Sequence, residues 1–345
     1  MTNNRFIFLD GMRGIAALAV VITHVTHFSY FGSGALAVDM FFCLSGFVIA
    51  YAYQSKIFSK LTIREYFVKR LNRLYPMFLI GLFLGLVALL LKVYHGQSDY
   101  TYTNVFTALL LNTFYLPYLN QGTFLVFSHL AVGNIFPVNN PSWSLFFELI
   151  ANILFVFTIK LSKPILIGIA AILGVWLAIY AVLSGSAPGG STSNFIGGFP
   201  RVGYTFLIGV ILYRCFQVEN NGFKVNYLVV AVPLALMMLV PQWSSHWFYY
   251  WAFAAILIVP ILVWLGIHVQ IRDTRIAAFF EYIGWLSYPV YCVHVPILNL
   301  VSTFNPNPVH LYRFGAVIVI GIVIISHILG KYLDEPIRAK LAKKP

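Results

Sequence analysis

The sequence predicts an all-α fold, a polytopic transmembrane helical bundle of about ten spanning helices plus one re-entrant or interfacial segment, with residues 1–345 forming a single domain. Three observations carry that expectation. Of the 345 residues, 60% are hydrophobic and only 9% are charged, whereas soluble domains carry roughly 25% charged residues. So much apolar surface cannot be hidden in one aqueous core of this size, and lipid is its natural solvent. Apolar runs of spanning length recur along the whole chain, and the basic residues concentrate in alternate connections between them.

The spans fall at about 7–29, 36–54, 75–94, 142–160, 164–184, 200–216, 226–242, 247–268, 281–302 and 312–333. Each is close to the length that crosses a hydrocarbon core of ~30 Å. The first carries Asp10 and Arg13 and no small-residue cleavage site, so it is expected to stay in the mature protein as a helix rather than be removed as a signal peptide. Residues 104–118 (NVFTALLLNTFYLPY) are short and polar at both ends, and read as re-entrant or interfacial. Residues 185–199, rich in Gly and Ser, read as a flexible external loop. No internal repeat points to an inverted-repeat transporter.

Orientation follows the bias of Lys and Arg towards the cytoplasm. With both termini placed there, 18 of the 22 basic residues are cytoplasmic, six of them in the connection 55–74, while Lys92, Arg201 and Arg313 lie on the far side and Arg13 lies within a helix. A full crossing by 104–118 would move eleven basic residues outside. The net charge of +12 therefore reads as a set of topology determinants beside anionic lipid, not as a nucleic-acid surface. Aromatic residues at 17% suit a protein with two membrane interfaces. Cys43, Cys215 and Cys292 form no C-x-x-C motif and suggest neither a metal site nor a disulfide framework.

Ionisable groups inside such helices are expensive, at roughly 2.5–3.5 kcal/mol each on insertion scales, and mark functional positions. Arg13 and His24 are eleven residues apart, about 20° past three full turns, so they share a helix face with ~16 Å between them along the axis. Asp10 and His27 lie near the same stripe. Glu148, in PSWSLFFELIAN, enters the fourth span from the side nearer His24, where a carboxylate could orient the imidazole. Pairing with an Arg or Lys inside the bundle is the alternative. Asp39 opens the second span and fits a helix N-cap. His294, in YPVYCVH, lies in the outer half, where by itself it reads as a core histidine. Arg70 and Arg73 are i, i+3 neighbours whose guanidinium groups suit a polyphosphate, with simple positive-inside anchoring as the alternative. No Walker loop, dinucleotide fingerprint, H-E-x-x-H or G-x-S-x-G occurs.

At these residues the chain resembles acyltransferase family 3, the integral-membrane O-acyltransferases. The likeness runs almost end to end: FIFLDGMRGIAAL with Arg13-x10-His24, VDMFFCLSGFVI at 38–49, R-x-x-R-L-Y-P at 70–76, PSWSLFFE at 141–148 with Ser144 inside it, LSYPVYCVHVPI at 286–297, and DEPIR at 334–338. The resemblance implies acyl transfer from cytoplasmic acyl-CoA, usually acetyl-CoA, with no bound cofactor or metal. The acceptor would be a hydroxyl of a glycan or lipid-linked glycan beyond the cytoplasmic (inner) membrane. It implies that His24 is catalytic and Arg13 essential, and Glu148 joins His24 as a catalytic candidate on the residue-level reading above. Arg13, Arg70 and Arg73 would serve the donor, and Asp10, Asp39, Ser144 and His294 would be in support. Many relatives carry a fused esterase-like domain, which this sequence of 345 residues does not show. His24 could act as general base or form an acyl-imidazole. A proton-coupled secondary transporter using Asp10, Glu148 and the histidines is the competing reading, and a non-catalytic component of a polysaccharide machine is a third.

Overall fold

A computed structural model of the chain describes residues 6–26, 33–57, 59–119, 133–217, 223–242, 246–305 and 313–342. His27 and the end of the first expected span lie outside them. The described helices are α1 (Ile7–Val25), α2 (Gly34–Tyr53), α3 (Ile63–Tyr94), α4 (Tyr102–Thr113), α5 (Ser142–Thr158), α6 (Lys163–Ser184), α7 (Gly198–Phe216) and α8 (Leu228–Met238). They continue with α9 (Trp247–Ile267), α10 (Thr274–Phe304) and α11 (Gly315–Ala342). Among the described residues there is no strand beyond isolated bridges. Among the described residues seven helices are long and apolar enough to cross a membrane, and α5 and α8 are shorter apolar helices. The chain is an all-α, multi-pass membrane protein, and a helix stands at each of the ten expected spans.

Two helices begin well before the expected spans. The third span was expected from residue 75, but α3 starts at Ile63 and runs through Pro76. Thr62 explains the start: its hydroxyl accepts from Glu65 N, and the Glu65 carboxylate accepts from Thr62 N at 2.7 Å, which closes a capping box. Likewise α10 starts at Thr274, not 281, because Asp273 accepts from the backbone N–H groups of Arg275 and Ile276. In both cases a charged first turn outside the apolar core hid the helix from a hydropathy reading.

Contacts between helices fix their relative directions. Gly11 meets Phe280, Gly14 meets Ile283 and His24 meets His294, so α1 and α10 run parallel. Tyr288 bonds Leu74 and Lys92 bonds Asn299, so α3 runs parallel to α10 as well. In contrast, Tyr66 reaches Asn152 and Arg70 reaches Glu148, so α3 and α5 are antiparallel. The chain therefore leaves α3 and enters α5 at the same face of the bundle, with α4 in between. The 12 residues of α4 extend ~18 Å at 1.5 Å per residue, too short for a ~30 Å core.

Glycines and prolines set the packing. A Cβ on Gly209 would lie 2.1 Å from the Cys43 carbonyl oxygen, and one on Gly46 would lie 2.1 Å from that of Phe206. These two positions bring α2 and α7 backbone to backbone, as small residues do in membranes. Pro296 has no N–H to give the Cys292 carbonyl one turn earlier, and Asn139 Nδ2 donates to that oxygen instead at 2.8 Å. Pro260 leaves the Ile256 carbonyl in the same condition, where α9 widens into a π turn at Ala254–Ile258, and Tyr204 donates its hydroxyl there at 2.8 Å.

The stretch 185–199, expected to be a flexible loop, is instead pinned. Asn194 Oδ1 accepts from Gly189 N and Ser191 N, each at 3.0 Å, and Thr192 N donates to Gly133 O at 2.7 Å. Gly189, at φ 124°, lies against the Trp143 ring, where a Cβ would come within 2.6 Å. Its conformation and its surroundings both require glycine.

Candidate active site

The parallel pairing of α1 and α10 and the antiparallel pairing of α3 and α5 turn ionisable side chains from all four helices into one interior cavity of about 300 Å³. Asp10 and Arg13 come from α1, and Arg13 Nη1 stands 3.7 Å from Asp10 Oδ1. Ser45 comes from α2, Arg70 and Arg73 from α3, Ser144 and Glu148 from α5, Tyr288 and Tyr291 from α10, and Arg338 from α11. Four arginines face two carboxylates, so the cavity carries a net positive charge suited to an anionic ligand.

Arg70 is buried and held on two sides. Its Nη2 donates to Glu148 Oε1 at 2.7 Å and its Nε to Asn152 Oδ1 at 2.8 Å. Tyr66 donates its hydroxyl to the same Asn152 oxygen, and Asn152 Nδ2 returns to the Glu148 carbonyl at 2.7 Å. Ser45 adds a donor to Glu148 Oε1 at 3.1 Å. Glu148 is thus the partner of Arg70. The expectation that it orients the His24 imidazole gives way to the alternative of pairing inside the bundle, because α3 presents a guanidinium to it first. Arg73, one turn on, lines the cavity without a partner among the described residues.

His24 lies outside this lining, towards the other face, and its ring neighbour is His294 on α10, with centroids 5.0 Å apart and planes at 60°. His24 Nδ1 lies 2.9 Å from Val20 O, and His294 Nδ1 lies 3.0 Å from Val290 O and 2.9 Å from Tyr291 O. A carbonyl only accepts, so in both rings Nδ1 carries a proton, which leaves Nε2 as the acceptor of the neutral ring. His294 is wholly buried and its Nε2 has no partner among the described residues. Tyr291 links the two regions: it lines the cavity, its ring lies 5.9 Å from that of His294, and its hydroxyl is 2.6 Å from Ser144 Oγ. Among the described residues no three His, Cys, Asp or Glu side chains gather as a metal site would need.

Asp39 is not a helix cap. Because α2 begins five residues earlier at Gly34, Asp39 lies inside the helix, fully buried. Its two oxygens accept from Arg201 Nε at 2.7 Å and Nη2 at 2.9 Å, and Trp251 Nε1 donates to Oδ2 at 2.8 Å. Arg201 also donates to the Pro188 and Ala35 carbonyls, each at 2.7 Å, and lies against the rings of Trp143 and Trp251. Every polar atom of the pair is occupied, which marks it as a fastener of α2, α7, α9 and the 185–197 connection.

Sequence reasoning overlooked Arg201, counted only as a far-side cation, together with Asn152, Tyr291 and Arg338. Asn152 was detectable, since it stands one turn from Glu148 on the same helix face. The partner of Arg201 is 162 residues away along the chain, and nothing local announces it.

Comparison with known proteins places this geometry. Residues 6–330 match the family described as acyltransferase domain. A Rhizobium radiobacter protein, protein 2 in the picA locus, is 37% identical over 169 residues, covering 43% of this chain and 79% of that protein. A Staphylococcus aureus protein, named provisionally as an O-acetyltransferase, is 25% identical over 361 residues, 96% of this chain and 57% of its own length. The peptidoglycan O-acetyltransferase OatA of Listeria monocytogenes is 24% identical over 363 residues, 96% of this chain and 55% of its own. The chain thus spans little more than half the length of these two O-acetyltransferase relatives. No solved structure matches. With the family match running over nearly the whole chain, the chain belongs to the integral-membrane acyltransferase domain family, acyltransferase family 3.

Proposed function

We propose that the chain is a membrane O-acyltransferase. It takes an acyl group, acetyl in the simplest case, from acyl-CoA at the cytoplasmic face and delivers it to a hydroxyl of a glycan or lipid-linked glycan on the other side. One observation carries this reading: a net-positive cavity and a pair of imidazoles whose Nδ1 atoms face backbone carbonyls lie in succession along the same two parallel helices, α1 and α10. A donor with an anionic head and a long neutral arm fits such an arrangement. The relatives named as O-acetyltransferases, one of them acting on peptidoglycan, support the reaction type. The basic residues, 18 of 22 on one side, support the orientation.

In this mechanism Arg13 and Arg73 face the donor in the cavity. Arg70 is locked by Glu148 and Asn152 and supplies fixed positive charge. The thioester arm extends past Tyr291 towards His24. His24 Nε2 takes the proton of the acceptor hydroxyl as its oxygen attacks the thioester carbonyl. The carbon–sulfur bond then breaks, and the proton passes from the imidazolium to the departing thiolate. His294 Nε2 accepts from a second, neighbouring hydroxyl of the acceptor and so orients it. Glu148 acts through Arg70 and not through the imidazole.

The test is transfer of labelled acetyl from acetyl-CoA to membrane glycan by detergent-solubilised protein. Transfer without a sealed compartment is expected. Label that moves only across a sealed, energised membrane would instead establish the transporter reading.

A further inference from the structure

The DEPIR motif at 334–338 has no part in the chemistry above, yet the fold brings it to the mouth of the cavity. A second, larger recess of about 640 Å³ lies between the first turns of α3 and the last turns of α11. It shares Arg73 and Arg338 with the interior cavity, so these two arginines stand at the neck between them. Arg64 and Lys69 add two more cations to its wall, against one acid, Glu65. The Glu65 carboxylate is already engaged in the α3 capping box, accepting from both N and Oγ1 of Thr62 at 2.7 and 2.8 Å. Four cations thus face one acid, whose Oε2 is already engaged by Thr62.

Arg338 is placed there by specific contacts. A π turn at Gly330–Asp334 ends on Asp334, whose side chain is fully buried and meets Arg338 Nη2 at 2.7 Å one turn later. Trp285 Nε1 donates to Glu335 Oε1 at 2.8 Å, which fastens the motif to a helix that lines the cavity. Among the described residues the buried Arg338 Nε and the two Asp334 oxygens make no well-aligned hydrogen bond, while the Arg338 side chain as a whole remains 32% exposed and lines the recess. A guanidinium that meets a buried carboxylate through Nη2 while the side chain stays part-exposed in a cationic recess can still offer Nη1 to a phosphate.

We propose that the recess between α3 and α11 seats the phosphate-rich nucleotide of the donor, with Arg338 as a phosphate ligand that Asp334 positions. The thin acyl-bearing arm passes between Arg73 and Arg338 into the cavity. This rests on the acyl-CoA reading above; in place of the Arg70–Arg73 pair expected from the sequence it gives the phosphates Arg73 and Arg338, because Arg70 is committed to Glu148 and Asn152, and it leaves Arg13 facing the arm inside the cavity.

The experiment uses the full chain in nanodiscs of zwitterionic lipid, with adenosine 3′,5′-bisphosphate as the probe. Arg338→Gln and, on the opposite wall, Lys69→Gln should each weaken its binding, Arg338→Gln by about tenfold or more, as loss of a charge-assisted contact does. The ratio of kcat/KM for acetyl-CoA to that for acetyl-pantetheine should fall by a similar factor in Arg338→Gln. Unchanged probe affinity in both variants would overturn the proposal. So would displacement of the probe from wild type by phosphatidylglycerol nanodiscs, which would assign the recess to a lipid headgroup. Probe binding that depends on Arg338, in a protein that transfers nothing from acetyl-CoA, would uphold the recess and sink the acyl-CoA reading alone.

Discussion

At the scale of single residues, the two buried ion pairs do different work. Arg201 and Asp39 are 1% and 0% exposed and satisfy each other and three further groups. Removing one member strands the other, and breaking such a pair costs roughly 3–5 kcal/mol. Asp39→Ala should therefore cut the yield of folded protein and lower its Tm in detergent, and Asp39→Ala with Arg201→Leu should recover part of the loss. A loss in the double variant equal to the sum of the losses in Asp39→Ala and Arg201→Leu alone would mean the pair is not coupled. The Arg70–Glu148 pair lines the cavity and should act on catalysis. Glu148→Gln keeps an acceptor for Arg70 but loses its charge, so the KM for the donor should change while Tm falls little. A fall in Tm as large as that of Asp39→Ala would make Glu148 a fastener instead. The sequence pointed to Asp10, Arg13, Glu148 and the arginines of α3 as costly polar groups in apolar runs. It did not reveal that Glu148 pairs with Arg70 or Asp39 with Arg201, because those partners are 78 and 162 residues apart along the chain.

At the scale of elements, hydropathy located the helices and misplaced their starts. α3 and α10 open with charged turns, and only the caps at Thr62 and Asp273 mark them. Both signals were present in the sequence and were outweighed by the apolar windows. Interior prolines were equally ambiguous. Pro76, Pro289 and Pro296 lie inside helices, and Asn139 takes the carbonyl that Pro296 releases. The close crossing of α2 and α7 gives a sharp prediction. Gly209→Val should separate them, since even a Cβ would lie 2.1 Å from Cys43 O. Folded protein should be lost, whereas Gly168→Val, where a Cβ meets nothing within 4 Å, should be tolerated. Similar yields from both variants would show that the crossing can relax.

For the whole molecule, the alternation of basic connections and the internal helix directions reach the same arrangement independently. α1, α3 and α10 run one way and α5 the other, so the chain from α3 to α5 returns to the face it left. Which face is cytoplasmic is the part that rests on charge bias. Ser191→Cys, on the connection before α7, should react with an impermeant thiol reagent added outside, and Lys60→Cys should not. The reverse pattern would invert the protein and place the donor recess outside, away from acyl-CoA.

The central claim is that the imidazole of His24 is the base for acyl transfer in the bundle. The most direct measurement is acetyl-CoA-dependent acetylation by His24→Gln, normalised to folded protein and compared with His24→Ala and wild type. Gln keeps hydrogen-bonding capacity but cannot take up a proton near neutral pH. The account predicts that both variants insert and fold, and that both lose transfer, with no rescue by Gln. Substantial turnover in His24→Gln would contradict it.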